Sequence, residues 1–212
     1  MKFNLIFSET SRSAEYLNAL VKNKLIPFKI IYYSKKRNIS LIKKFKNLSI
    51  NYKYFPTNNI NDLKIRNEIV NSKIRKFIYS GYPGEIVKKQ IIDRKNLIHC
   101  HPGRLPKFKG STVIYYSLIL TGKIFCSCIK LNSKIDEGKI LIIKRFKKPK
   151  KIKTIEGKFD NKIRSMTLIA YLKSKKRKYK FSYSNKTLNY YIAHPIIRSI
   201  ILNKSQLNFL KN

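Results

Sequence analysis

The sequence predicts an α/β fold: a Rossmann-like, mostly parallel sheet flanked by helices, with a short α+β extension at the C-terminal end. Three observations predict it. Short apolar runs, such as Phe3–Phe7 and Lys76–Ser80, alternate with stretches of helical spacing. The first such unit reads strand, helix, strand, which implies parallel pairing through a right-handed crossover. A chain of 212 residues that is 43% hydrophobic has enough apolar matter for one ordinary domain and a tail. The expected organisation is a main domain over 1–146, a basic linker over 147–153 and an extension over 154–212.

Taken in order, Phe3–Phe7 reads as a first strand, too short in apolar length for a signal peptide. Ser8–Ser13 is turn-like, and Ala14, Leu17, Leu20 and Val21 then recur at helical spacing. Arg12 and the serines suit either an anion at the helix N-terminus or a plain capping turn. Pro27 ends the unit and Phe28–Tyr33 is a second strand. Leu41–Phe45 fits a short helix, Ile50–Phe55 a strand, Leu63–Ser72 a helix and Lys76–Ser80 a buried strand stopped by Gly81. Ile86–Ile92 reads as a helix and Leu97–Cys100 as a strand. Ser111–Leu120 reads as a helix capped by Ser111 or Gly110, with Val113, Tyr116, Ser117 and Leu120 on one side. Ile124–Leu131 and Lys139–Phe146 are strands around a turn. Beyond the linker, Asp160 is placed to cap a helix with Ile163, Met166, Ile169 and Ala170 inward. Tyr179–Ser184 alternates like a small strand. His194, a capping or packing residue, and Pro195 open a last helix, Ile196–Leu202.

Composition narrows the partners. Lys and Arg number 48 against 10 Asp and Glu, a net charge of +38. Such a surface attracts phosphates in a salt-dependent way. The lysines are spread along the chain among abundant Asn, Ile, Tyr and Phe, the pattern of compositional drift, so a nucleic-acid partner is possible but not favoured. No apolar run reaches membrane-spanning length. Three cysteines, Cys100, Cys126 and Cys128, point to a reducing, cytoplasmic setting rather than a disulfide framework. A zinc site built from Cys100, His101 and the Cys126–Cys128 pair lacks the CxxC spacing such sites use.

The chemistry concentrates in Asn96–Gly110. His99 and His101 stand two residues apart at the end of an apolar run, and Pro102-Gly103 and Pro106 then break the chain. Residues i and i+2 of a strand share a face, so two imidazoles leave the sheet together where a loop begins. Strand ends of α/β sheets are where ligands bind. An imidazole there titrates near neutral pH and can pass a proton.

His101-Pro-Gly-Arg-Leu-Pro-Lys-Phe-Lys-Gly110 resembles the signature loop of the folate-dependent formyltransferases, the family of glycinamide ribonucleotide transformylase, methionyl-tRNA formyltransferase and the sugar N-formyltransferases. The family pattern is Asn-x-His, then Leu-Pro, a basic or aromatic pair and Gly, with an Asp turn some three dozen residues on. Ser133-Lys134-Ile135-Asp136-Glu137-Gly138 matches that turn, with Asp136 35 residues after His101. The resemblance implies the formyltransferase fold, 10-formyltetrahydrofolate as formyl donor, and His101 and Asp136 as catalytic residues. It implies that Tyr82, Pro83, Gly84, Glu85, Ile86 and Val87, with Lys134 and Ile135, hold the cofactor. His99 stands where the family has Asn. It is bulkier, but a neutral imidazole also donates one N–H, and it is taken as the third catalytic residue. The 59 residues that follow the linker are too few for the tRNA-gripping barrel of the methionyl-tRNA enzymes. The expected acceptor is therefore a small anionic amine such as an amino-sugar nucleotide. The alternatives are a formyltetrahydrofolate hydrolase, a methionyl-tRNA formyltransferase-like protein without its tRNA-binding domain, or a non-catalytic basic binding protein on this fold.

Overall fold

A computed structural model describes residues 2–149, 154–174, 189–190 and 192–203. The strands are β1 (Asn4–Ser8), β2 (Lys29–Tyr33), β3 (Asn51–Phe55), β4 (Lys76–Ser80), β5 (Asn96–His101), β6 (Lys109–Gly110), β7 (Ile124–Lys130), β8 (Lys139–Phe146) and β9 (Asn189–Tyr190). The helices are α1 (Ser11–Lys22), α2 (Ile39–Asn47), α3 (Leu63–Val70), α4 (Lys89–Ile92), α5 (Val113–Thr121), α6 (Asp160–Lys173) and α7 (Pro195–Leu202). Seven strands form one mostly parallel sheet in the order β3-β2-β1-β4-β5-β7-β8, and β6 pairs with β9. This is the expected α/β class. The chain divides into two compact units, Met1–His99 with Lys130–Ser133, and Cys100–Ile129 with Lys134–Asn212. No helix among the described residues is long and apolar enough to cross a membrane.

In the first unit, β1 is buried along its whole length, as a central parallel strand covered on both faces must be. It pairs in parallel with β2 on one side and β4 on the other. Helix α1 is capped by Thr10, whose side chain accepts from the Ser13 N–H. One layer of the core gathers Ile6, Ile31, Phe55, Ile65, Ile69 and Phe77, all within a few per cent of full burial. On a second cluster Phe7, Tyr32 and Phe45 meet edge to face, with centroids 5.5 to 5.9 Å apart. Phe45 and Ile42 are the buried residues of α2, and such ring pairs add roughly 0.5–1.5 kcal/mol beyond area burial.

Three helices depart from expectation, α4 in the first unit and α5 and α6 in the second. Helix α4 is four residues long, because Tyr82–Lys88 stays a loop. Helix α5 is capped neither by Ser111 nor by Gly110. Its N-cap is Thr112 in a left-handed conformation (φ 49°), and the Thr112 hydroxyl accepts instead from the Ala193 N–H at 2.6 Å. Its buried set, Val113, Ile114, Tyr115, Ser117 and Leu118, runs round the helix, while Leu120 is exposed. In α6 the Asp160 carboxylate pairs with Arg164 at 2.9 Å rather than capping. Met166 faces out, and Ser165 and Thr167 are buried instead. That inversion is affordable because both hydroxyls donate to carbonyls of their own helix, Lys162 at 2.9 Å and Ile163 at 2.7 Å. His194 does cap α7, its Nδ1 accepting from the Ile196 N–H at 3.3 Å. The strand expected over Tyr179–Ser184 lies outside the described residues.

Candidate active site

In the second unit, the end of β5 delivers His101 into a buried cradle. The residue is 4% exposed. Its Nδ1 lies 3.2 Å from Asp136 Oδ1, and its Nε2 lies 2.9 Å from the Phe108 carbonyl oxygen. Both neighbours are acceptors, so a neutral ring serves one of them at a time and a doubly protonated ring serves both. The sequence motif and the distant turn are thus brought into direct contact.

Each wall of the cradle has a local cause. The loop leaving β5 closes on itself, with the Phe108 N–H donating to the Arg104 carbonyl at 2.9 Å. Gly103 allows the close approach. A Cβ there would stand 2.8 Å from the Phe108 oxygen and 2.9 Å from His101 Nε2. Ser127, buried on β7, pins the loop from behind: its hydroxyl donates to the Gly103 carbonyl at 2.6 Å and accepts from the Leu105 N–H at 3.0 Å. Asp136 has φ 56°, a left-handed geometry that Asp and Asn tolerate best among residues with a Cβ. Its Oδ2 accepts from the Gly110 N–H at 2.9 Å. One position along, buried Lys109 reaches Glu137 at 2.8 Å. The Lys109 hydrogen bond holds the Glu137 carboxyl below the usual carboxylate range. Lys134 and Ile135 are exposed at the tip of this turn, with Lys134 Nζ 3.8 Å from Glu137. Arg164, from α6, donates to the Cys100 carbonyl at 2.6 Å while gripping Asp160.

The first unit holds the remaining sequence-designated residues. His99 is half-buried, its ring 5.9 Å from that of Tyr79. The Tyr82–Val87 loop is tied down by the carboxylate of Glu85. One oxygen accepts from Tyr33 at 2.5 Å, Tyr79 at 3.0 Å and the Tyr82 N–H at 3.2 Å; the other accepts from the Ile60 N–H at 2.6 Å. Burial, with the neighbouring carboxylate, pushes the Tyr33 and Tyr79 phenols well up, so they stay neutral donors. The main chain at Ile86 accepts from Asn61 at 2.8 Å. Pro83, Gly84 and Ile86 are exposed. The loop is thus an ordered surface backbone in which the Ile86 carbonyl already has a protein donor. The Ser8–Ser13 turn is a cap, and Arg12 donates to the Gly81 carbonyl.

Sequence reasoning missed Ser127, Gly103, Lys109 and Arg164. Ser127 sits between two cysteines and reads as ordinary alternation; Gly103 reads as a turn residue. Only the spatial neighbour reveals either. The three cysteines are buried, and burial first, then Cys100 beside it, pushes the Cys126 thiol well above its ordinary value, the mark of an inert structural thiol.

No protein-family model matches the sequence, and no curated protein matches it. Solved structures do. A sugar N-formyltransferase from Shewanella sp FDAARGOS_354 superposes with a TM-score of 0.61 at 20% identity, over 91% of this chain and 77% of that one. The phosphoribosylglycinamide formyltransferase from Streptococcus pneumoniae TIGR4 does so at 0.62 and 14%, over 82% and 98%. A formyltetrahydrofolate deformylase from Pseudomonas putida KT2440 gives 0.58 and 16%, over 81% and 63%. The chain has the formyltransferase fold, and the resemblance read from its loop holds at that level.

Proposed function

We propose that this chain is an N-formyltransferase that moves a formyl group from 10-formyltetrahydrofolate to a small amine. An anionic amino-sugar nucleotide is the leading class of acceptor. The observation that carries the reading is the buried His101–Asp136 pair at 3.2 Å, at the end of a sheet strand in this fold.

The donor supplies an acyl carbon whose oxygen gathers negative charge when an amine adds to it. What the chain must supply is a hydrogen-bond donor at that oxygen and a carrier for the amine proton. His101 is assigned the carrier. Asp136 holds its Nδ1 side and compensates the charge of an imidazolium. For Nε2 to serve a substrate it must exchange the Phe108 carbonyl for the substrate atom. His99 is assigned the N–H donor to the oxygen. The Tyr82–Val87 backbone, with Lys134 and Ile135, is assigned the folate. A deformylase among the structural neighbours keeps hydrolysis to formate as the second reading.

The test is tetrahydrofolate release from the formyl donor with and without a panel of amines. Amine-dependent release is expected, and formate release that no amine diverts would select the second reading. His101→Asn and Asp136→Asn should each lower turnover by roughly 10²–10⁴-fold, the range of a positioned acid–base group. Asn at 136 keeps the left-handed turn, so a loss there reports the charge rather than the backbone. Unchanged turnover in both variants would overturn the assignment.

A further inference from the structure

Behind the His101 loop, wholly within the second unit, lies a cleft of about 490 Å³. Arg104, Lys107, Lys123 and Arg145 line it, with Phe125 and Ile143 as apolar wall, and no carboxylate borders it. Among the described residues none of these four cations forms an ion pair. We propose that this cleft is a binding site for the phosphate groups of a small molecule, separate from the His101–Asp136 pair and independent of whether that pair transfers formyl.

A chain this basic would show lysines around any hollow, so the contrast with a larger cleft in the first unit matters. That cleft, of about 740 Å³, also has several lysines, Lys2, Lys29, Lys53, Lys64 and Lys73 among them. There Glu68 sits between Lys29 and Lys53 at 2.5 and 2.6 Å, so two of the lysines already have a carboxylate partner. The Arg104 cleft has no such counter-ion. It also has two arginines, whose planar forks match phosphate oxygens in pairs, where a lysine offers a point charge. The Arg104 guanidinium lies over the Phe125 ring, 5.5 Å from its centroid, which holds the fork in place by a cation–π contact. The root of the site is rigid as well, because Arg104 and Phe108 are joined by the backbone turn of the cradle loop. The volume falls in the range of small-molecule sites, about 300–1,000 Å³, which favours a nucleotide-sized or smaller phosphate ester over a nucleic-acid strand.

Inorganic pyrophosphate is the probe, titrated by calorimetry into the full chain at moderate salt. Saturable one-to-one binding is expected. Arg104→Ala and Arg145→Ala should each weaken it by about tenfold or more, the scale of a lost charge-assisted hydrogen bond. Arg145→Lys should weaken it too, since it keeps the charge and loses the fork. Lys64→Ala with Lys73→Ala, in the other cleft, should leave it unchanged. Far-ultraviolet circular dichroism confirms that each variant is folded. Three results would overturn the proposal: no saturable binding, equal weakening by the Lys64/Lys73 pair, or full binding in Arg145→Lys. So would a short single-stranded oligonucleotide that binds more tightly than pyrophosphate through the same arginines.

Discussion

Gly103 is where a single hydrogen atom matters most. Its missing side chain leaves room for His101 Nε2 and the Phe108 oxygen, and a methyl would also meet Val113 Cγ2 at 2.8 Å. The first two are a ring the site needs and a backbone carbonyl, neither of which yields cheaply. Gly103→Ala should therefore cost about 1–3 kcal/mol, the usual penalty for overpacking, read from the urea midpoint. Wild-type stability in that variant would mean the cradle is looser than its distances. At this scale the sequence pointed to His101 through its place before a Pro-Gly break and to Asp136 through the resemblance of its turn to a family pattern, and the structure brings the two into contact. It was silent on Ser127 and Gly103. Their importance lies in the atoms opposite them, and those come from other strands.

At the scale of elements, two adjacent clips join the β6 strand to the Asp136 turn: the Gly110 N–H donates to the Asp136 carboxylate, and Lys109 pairs with Glu137 through side chains. The depressed Glu137 carboxyl gives the second clip a pH signature. Its folded value lies below its unfolded one, so its stabilisation is complete above the ordinary carboxylate range and is lost as pH falls through the lowered value. Glu137→Gln should melt below wild type at neutral pH and converge with it in acid. A gap that persists undiminished at low pH would show that the pair does not supply the stability. Strands β4 and β8 were legible to the residue, since short apolar runs bounded by Gly, Pro or Lys leave little choice of register. The phases of α5 and α6 were not. In α5 almost every position is apolar, so no stripe stands out. In α6, buried Ser165 and Thr167 satisfy themselves on their own helix, which hides their burial from any hydrophobic count.

For the whole molecule, a net charge of +38 means that folding works against self-repulsion. Raising ionic strength from about 0.01 to about 1 M shortens the screening length from ~30 to ~3 Å. The melting temperature should rise across that range, and a fall would show that ion pairs such as those of Glu68 outweigh the repulsion. The α/β class was readable because alternation of strand and helix is a property of the whole chain and survives local error. Glu85 carries a consequence beyond its four hydrogen bonds. By accepting from β2, from β4, from its own loop and from the Ile60 peptide, one carboxylate freezes a surface segment that would otherwise wander. A visitor to that surface then meets a finished shape and spends little of its affinity on taming the chain.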